Sequence, residues 1–188
     1  MKPLDIRDVA IIDAFPVYDV ERKIVLNIGC GKGRIDFHLA SMGYRIYATD
    51  IIKEDTWKDS ENLTFHRADI FDLSSMPRQE SDIIICSEVL EHIENYKMAL
   101  VNMMALAKTR IIITIPYQKS FNGTIHRHFW GDKESGEFKD INEFKYICHP
   151  YSVAISKIRT KPKDAGTKRY CYLIIIDKRQ NLMGERTK

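Results

Sequence analysis

Apolar residues in this chain fall into short runs separated by turn residues, and their spacing predicts alternating helices and strands. Ile6, Val9, Ile12 and Phe15 recur at roughly helical spacing across residues 5–15, and Pro16 ends that segment. Ile24–Ile28 reads as the first strand. A helix follows from Gly33 to Ser41, with Gly43 as its stop. Arg45–Thr49 is the second strand and closes at Asp50; Asn62–Arg67 is the third. Ser81–Cys86 is the fourth, and its run Ile83, Ile84, Ile85 suits a strand buried on both faces of a parallel sheet. Val89 to Ala107 carries a helical apolar side, and Arg110–Ile115 is a fifth strand stopped by Pro116. Residues 117–136 form the longest irregular stretch, holding Gly123, Gly131, Gly136 and two histidines, and long loops of this kind are usually functional. Phe138–Ile147 is predicted helical. Ser152–Arg159 and Arg169–Asp177 then read as a hairpin, followed by a tail over 178–188.

Five strands alternating with helices imply an α/β fold with a mostly parallel sheet, helices on both faces and a terminal antiparallel hairpin. Ligands in such sheets bind at the carboxyl ends of the strands. The length of 188 residues suits one domain. No run of 18 apolar residues is present, so no membrane span is expected, and the N-terminus lacks the pattern of a secretory signal. Cys30, Cys86, Cys148 and Cys171 are scattered without a CxxC pair. They read as reduced, mostly buried thiols, which makes the cytoplasm the expected compartment.

The candidate chemistry begins where the first strand breaks into Asn27-Ile28-Gly29-Cys30-Gly31-Lys32-Gly33. A strand, a turn whose backbone can touch a ligand, and the acid Asp50 about 20 residues on make a nucleotide-type pocket. A P-loop spacing is absent. The dinucleotide pattern GxGxxG fails because its third glycine position holds Arg34.

The run Val25-Leu26-Asn27-Ile28-Gly29-Cys30-Gly31-Lys32-Gly33 resembles the first motif of class I S-adenosylmethionine-dependent methyltransferases. The likeness extends over nearly the whole chain. Asp50 and Ile51 match the acidic strand end that binds the ribose hydroxyls in that family, and Asp69-Ile70 matches the segment that holds the adenine. Ser87-Glu88-Val89-Leu90-Glu91-His92 matches the fourth motif. The resemblance implies a Rossmann-like doubly wound sheet of seven strands in the order 3-2-1-4-5-7-6. It makes Asn27, Gly29, Cys30, Gly31, Gly33, Asp50, Ile51, Asp69, Ile70 and Ser87 the expected cofactor-binding set. One departure stands out: the family commonly has an acid where this chain has Asn27, so an acceptor is kept and a charge is lost. Residues 1–16 and 117–136 are left to form the substrate lid.

Methyl transfer from a sulfonium needs an aligned nucleophile and a route for its proton. Glu88, Glu91 and His92 form E-x-x-E-H, read as the start of a helix where three- and four-residue spacing shares one face. His126 and His128 follow in the long loop. Glu88, His92 and His128 are the expected catalytic or orienting residues. Glu88, Glu91, His92 and His126 are a candidate set for Mg²⁺, Mn²⁺ or Zn²⁺, which would lower the pKa of a bound hydroxyl. The pattern resembles both the ubiquinone-pathway O-methyltransferases and the Hen1-type RNA 2′-O-methyltransferases, where E-x-x-E-H binds metal. The alternative is a helix cap that lines the pocket without metal.

Charge adds one further class. Residues 155–188 hold ten Lys or Arg against three acids, which suits RNA as well as an ordinary solvated hairpin. The expected activity is therefore O- or N-methylation of a small molecule. Metal-assisted RNA methylation and a non-catalytic cofactor-binding partner module are the alternatives.

Overall fold

The computed structural model describes residues 3–16, 23–55, 57–77, 80–117, 126–131, 139–160 and 169–178. Helix α1 (Ile6–Asp13) opens on a reciprocal cap, in which the Asp5 carboxylate accepts from the Asp8 amide and Asp8 accepts from the Asp5 amide. Strand β1 (Ile24–Ile28) leads through the glycine turn into α2 (Arg34–Ser41). Then come β2 (Arg45–Asp50), β3 (Leu63–Arg67), β4 (Ser81–Ser87), α3 (Tyr96–Leu106), β5 (Ala107–Tyr117), α4 (Glu143–Ile147), β6 (Ser152–Arg159) and β7 (Tyr170–Asp177).

The seven strands pair in the order β3-β2-β1-β4-β5-β7-β6. β1 to β5 run parallel, and β7 is antiparallel to both β5 and β6. The expected topology is therefore present. Strand order reverses between β1 and β4, which opens a crevice beyond their carboxyl ends.

The isoleucine run of β4 explains the two-layer core. Ile84 packs with Leu26, Leu100, Met103 and Trp130 on the α3 face, whereas Ile83 and Ile85 pack with Val25, Leu39 and Ile46 on the other. All three isoleucines are fully buried. Alternating side-chain direction feeds both layers from one strand, so each position needs an apolar residue.

Three sequence expectations are corrected. The helix expected from Val89 to Ala107 is broken: Leu90–His92 is a single 3-10 turn, Ile93 is extended, and α3 starts only after Asn95. The Asn95 side chain accepts from the Met98 amide at 3.1 Å and so caps the later start. The fifth strand runs through Pro116 to Tyr117. Pairing with β4 ends at Thr114, so the missing N–H of Pro116 falls where β7 is the only paired strand. The helix expected over Phe138–Ile147 shrinks to Glu143–Ile147, because the Asp140 carboxylate takes the Asn142 amide at 3.0 Å in a tight turn.

Of the long loop over 117–136, residues 118–125 and 132–136 lie outside the described residues, as do 179–188 of the expected tail. Among the described residues no helix is long and apolar enough to cross a membrane.

Candidate functional site

A cavity of about 460 Å³ lies beyond the carboxyl ends of β1, β2 and β4, within the range of small-ligand pockets. Ile28, Gly29, Asp50, Ile51, Asp69 and Ile70 line one half. Glu88, Val89, His92, Glu94 and Arg127 line the other.

The first half is a braced turn. The amides of Gly29 and Cys30 donate to the Thr49 carbonyl at 2.8 and 3.0 Å, and the Gly31 amide donates to Asp50 Oδ2 at 2.9 Å. Trp57 Nε1 donates to the Gly31 carbonyl at 2.7 Å from below. Gly29 has a φ of +72°, and a Cβ there would stand 2.2 Å from Val89 Cγ2. Gly33 caps α2 at a φ of +70°, and its Cβ would stand 2.5 Å from Trp57. Both positions therefore exclude any side chain. Trp57 is buried against Phe37 and Phe65 beneath the turn.

The remaining cofactor candidates divide. Asp69 Oδ1 accepts from the Phe71 amide at 3.0 Å, which fixes its carboxylate at the cavity edge. Ile70 is buried and Ile51 is exposed on the rim. Asn27, Cys30, Gly31, Gly33 and Ser87 stand behind the lining. Ser87 Oγ is 2.8 Å from Thr114 Oγ1. Burial pushes the Cys30 thiol well above its usual range, with the charges of Asp36 and Asp50 adding to the effect.

The second half is built on Glu88. Its φ is +56°, a left-handed backbone on a non-glycine residue, and such strain gathers at functional sites. The Glu88 amide donates to the Thr114 carbonyl at 2.9 Å. Its Oε1 accepts from Thr114 Oγ1 at 3.2 Å, and its Oε2 pairs with Arg7 Nη1 at 2.9 Å. Burial raises the Glu88 pKa, and the Arg7 charge opposes that rise. Helical spacing had placed Glu88 and Glu91 on one face; here Glu88 lies outside the group of ligating atoms that Glu91 joins.

Glu91 is 1% exposed, and burial, with the Glu88 charge added, pushes its carboxyl up to about 8. Glu91 Oε2 and His92 Nδ1 are buried and accept or donate no hydrogen bond among the described residues. One ligating atom each from Glu91, His92 and His126 lie within 4.8 Å of one another. The rings of His92 and His126 meet edge to face at 4.7 Å. Two imidazoles and a buried carboxylate fit a divalent cation. Of the expected metal set, Glu88 alone stands apart.

The loop segment 126–131 is pinned to this turn, since the Glu91 carbonyl accepts from the amides of Arg127 and His128 at 2.6 and 3.2 Å. His128, expected to handle protons, has Nε2 2.8 Å from the Glu94 carbonyl and its ring against Tyr96. That contact spends the ring nitrogen on holding the loop. The sequence reading did not single out Arg7, Thr114, Arg127 or Asp36. The helical spacing over 5–15 was a signal that Arg7 stands in a helix; the others depend on strand pairing and loop return.

Comparison with known proteins matches this architecture. A family profile described as a methyltransferase domain covers residues 26–112. The ubiquinone biosynthesis O-methyltransferase of Rickettsia typhi is 29% identical over 104 residues, covering 52% of this chain and 42% of that protein. The enzyme of the same name from Coxiella burnetii is 31% identical over 114 residues, covering 57% and 45%. The magnesium protoporphyrin IX methyltransferase of Synechocystis PCC 6803, solved with bound SAH, superposes with a TM-score of 0.66. It covers 90% of this chain and 80% of its own at 18% identity, a likeness of fold. Residues 26–112 are thus similar to a methyltransferase domain, and the fold is that of a solved methyltransferase with bound SAH. The chain spans less than half the length of the curated relatives it matches. The matched span contains the glycine turn, Asp50, Asp69 and Glu88–His92; α1 and the segment 126–131 lie outside it.

The basic C-terminal third is partly accounted for inside the fold. Lys157 Nζ lies 3.3 Å from the Tyr117 ring centroid. Lys178 Nζ donates to the Met104 carbonyl at 2.7 Å, beyond the end of α3. Residues 161–168 and 179–188, which hold much of the remaining charge, lie outside the described residues.

Proposed function

We propose that this chain, as one methyltransferase domain, transfers a methyl group from S-adenosylmethionine to a hydroxyl oxygen of a small molecule, with a divalent cation at Glu91, His92 and His126. The juxtaposition of these three side chains, of which His92 lines the cavity and two have buried atoms unpartnered among the described residues, carries the reading. The names of the curated relatives, ubiquinone biosynthesis O-methyltransferases, support an oxygen acceptor. The glycine turn and Asp50 hold the methionyl and ribose parts, and Asp69 with Ile70 holds the adenine. When bound, the cation supplies a Lewis acid that lowers the acceptor's pKa. Glu88, held by Thr114 and Arg7, accepts a hydrogen bond from the acceptor and orients it. The acceptor oxygen attacks the methyl carbon in line, the carbon–sulfur bond breaks, and its electron pair neutralises the sulfonium. The acceptor's proton leaves through Glu88 to solvent. His128 keeps the loop closed. The cytoplasm is the proposed compartment.

The test is methyl transfer from labelled cofactor to catechol-type acceptors, with chelator and with added Mg²⁺, Mn²⁺ or Zn²⁺. Transfer should stop with chelator, return with metal, and be lost in His126→Ala. Chelator-resistant transfer would remove the metal from the mechanism. Label entering an RNA fraction instead of small molecules would overturn the acceptor class.

A further inference from the structure

Asn27 and Asp36 form a buried polar pair behind the glycine turn. Asn27 is 3% exposed and Asp36 is fully buried. Asn27 Nδ2 donates to both Asp36 oxygens, at 2.8 and 2.9 Å. Asn27 Oδ1 is buried and has no hydrogen-bond partner among the described residues. An unpartnered buried acceptor costs free energy unless something donates to it.

The two facts are connected. The amide oxygen and nitrogen of an asparagine point to opposite sides of Cγ. A carboxylate that embraces the nitrogen therefore turns the oxygen away. The reverse orientation would set the amide oxygen against carboxylate oxygens, acceptor against acceptor. Asp36 sits on α2, three residues beyond Gly33, and Asn27 sits on β1, two residues before Gly29. The pair thus spans the base of the turn that lines the cavity. The main chain of Asn27 is held as well, since its carbonyl accepts from Thr49 Oγ1 at 3.0 Å. With backbone and amide nitrogen both fixed, the position of Oδ1 is determined.

We propose that Asp36 is a positioning residue for the cofactor: it fixes the Asn27 amide so that Oδ1 accepts a hydrogen bond, directly or through one water, from the ammonium of the cofactor's amino-acid end. The inference rests on the methyltransferase reading above. The acceptor needs a donor, and the ammonium carries three. A carboxylate one step behind the amide strengthens the attraction through the polarised hydrogen bond.

The test compares two ligands on the whole chain by calorimetry. S-adenosylhomocysteine carries the amino-acid end. 5′-Methylthioadenosine keeps the adenosine and sulfur but lacks it. In Asp36→Asn, S-adenosylhomocysteine should weaken about tenfold while 5′-methylthioadenosine changes less than twofold. The exchanged pair N27D/D36N keeps the volume and charge and still presents an outward acceptor. It should bind S-adenosylhomocysteine within about threefold of the natural chain, and it serves where Asp36→Asn alone fails to fold. Parallel loss of both ligands in Asp36→Asn would make the pair a structural tie and overturn the proposal. Loss of S-adenosylhomocysteine alone in the exchanged pair would overturn it too. A natural chain that binds neither ligand would overturn the methyltransferase reading, and the inference with it.

Discussion

Arg7 on the first helix and Glu88 at the end of β4 form an ion pair of 2.9 Å across the edge of the cavity. The helix is held from its other side by Arg34, whose Nη2 reaches Asp5 at 2.7 Å and whose Nε reaches Asp8 at 2.6 Å. A residue at the start of the chain thereby sets the electrostatics of a residue eighty positions later. Arg7→Met should leave burial at Glu88 opposed only by the Thr114 hydrogen bond. The acid limb of kcat/KM should then move to higher pH, with activity near neutrality about tenfold lower. Stability should fall by about 1–2 kcal/mol, because both side chains are only about a quarter exposed. A pH–rate profile with thermal denaturation checks both. An unmoved acid limb would remove Glu88 from the reaction.

Gly33→Ala should cost more than Gly31→Ala in the same glycine turn. Its Cβ would stand 2.5 and 2.6 Å from two atoms of the Trp57 ring, itself buried and hydrogen-bonded. A loss of about 3 kcal/mol or more is expected from overpacking and backbone strain together. Gly31→Ala meets nothing within 4 Å and should cost only the left-handed strain, about 1–2 kcal/mol. Urea denaturation of the two variants gives the comparison, and equal losses would contradict it.

Trp57 should report cofactor binding by its fluorescence. Its indole N–H holds the Gly31 carbonyl, so a ligand seated on the turn changes the field around the ring. The chain has only one other tryptophan, Trp130, buried on the opposite face of the sheet. Trp130→Phe should keep the binding signal and Trp57→Phe should lose it. The reverse would mean that the turn does not contact the ligand.

Apo-protein stability should decline as pH rises from about 5 to 8. Burial raises the Asp36 carboxyl from its ordinary 3.8 to about 7. A raised acid binds more protons folded than unfolded across that interval, so its contribution is complete below the unfolded pKa and lost as pH climbs through the folded one. Glu91, raised to about 8, acts with the same sign. Asp36→Asn should flatten the decline by an amount on the order of a few kcal/mol without abolishing it. Denaturant titrations at successive pH values test this; an unchanged slope would mean Asp36 is ionised throughout.

What the chain determines by itself is local or periodic. Ile83–Ile85 announces a strand with two buried faces, the glycine spacing announces a turn open to a ligand, and Asp50 follows at a fixed distance because a short helix and strand must fit between. These signals repeat along the chain and need no partner to be read. The tertiary structure alone decided which polar groups meet. Glu88 and Glu91 looked like neighbours on a helix, but Glu88 is a left-handed residue, Leu90–His92 is a 3-10 turn and Asn95 caps α3 late. His126 reaches Glu91 and His92, and His128 is tied down beside it, through backbone bonds to Glu91 and a ring contact with the Glu94 carbonyl, between segments more than thirty residues apart. Arg7 met Glu88, and Asp36 met Asn27, in the same way. Side-chain chemistry is written in the sequence, but which groups share a cavity depends on strand pairing and loop return, and those are settled by burial of the whole sheet.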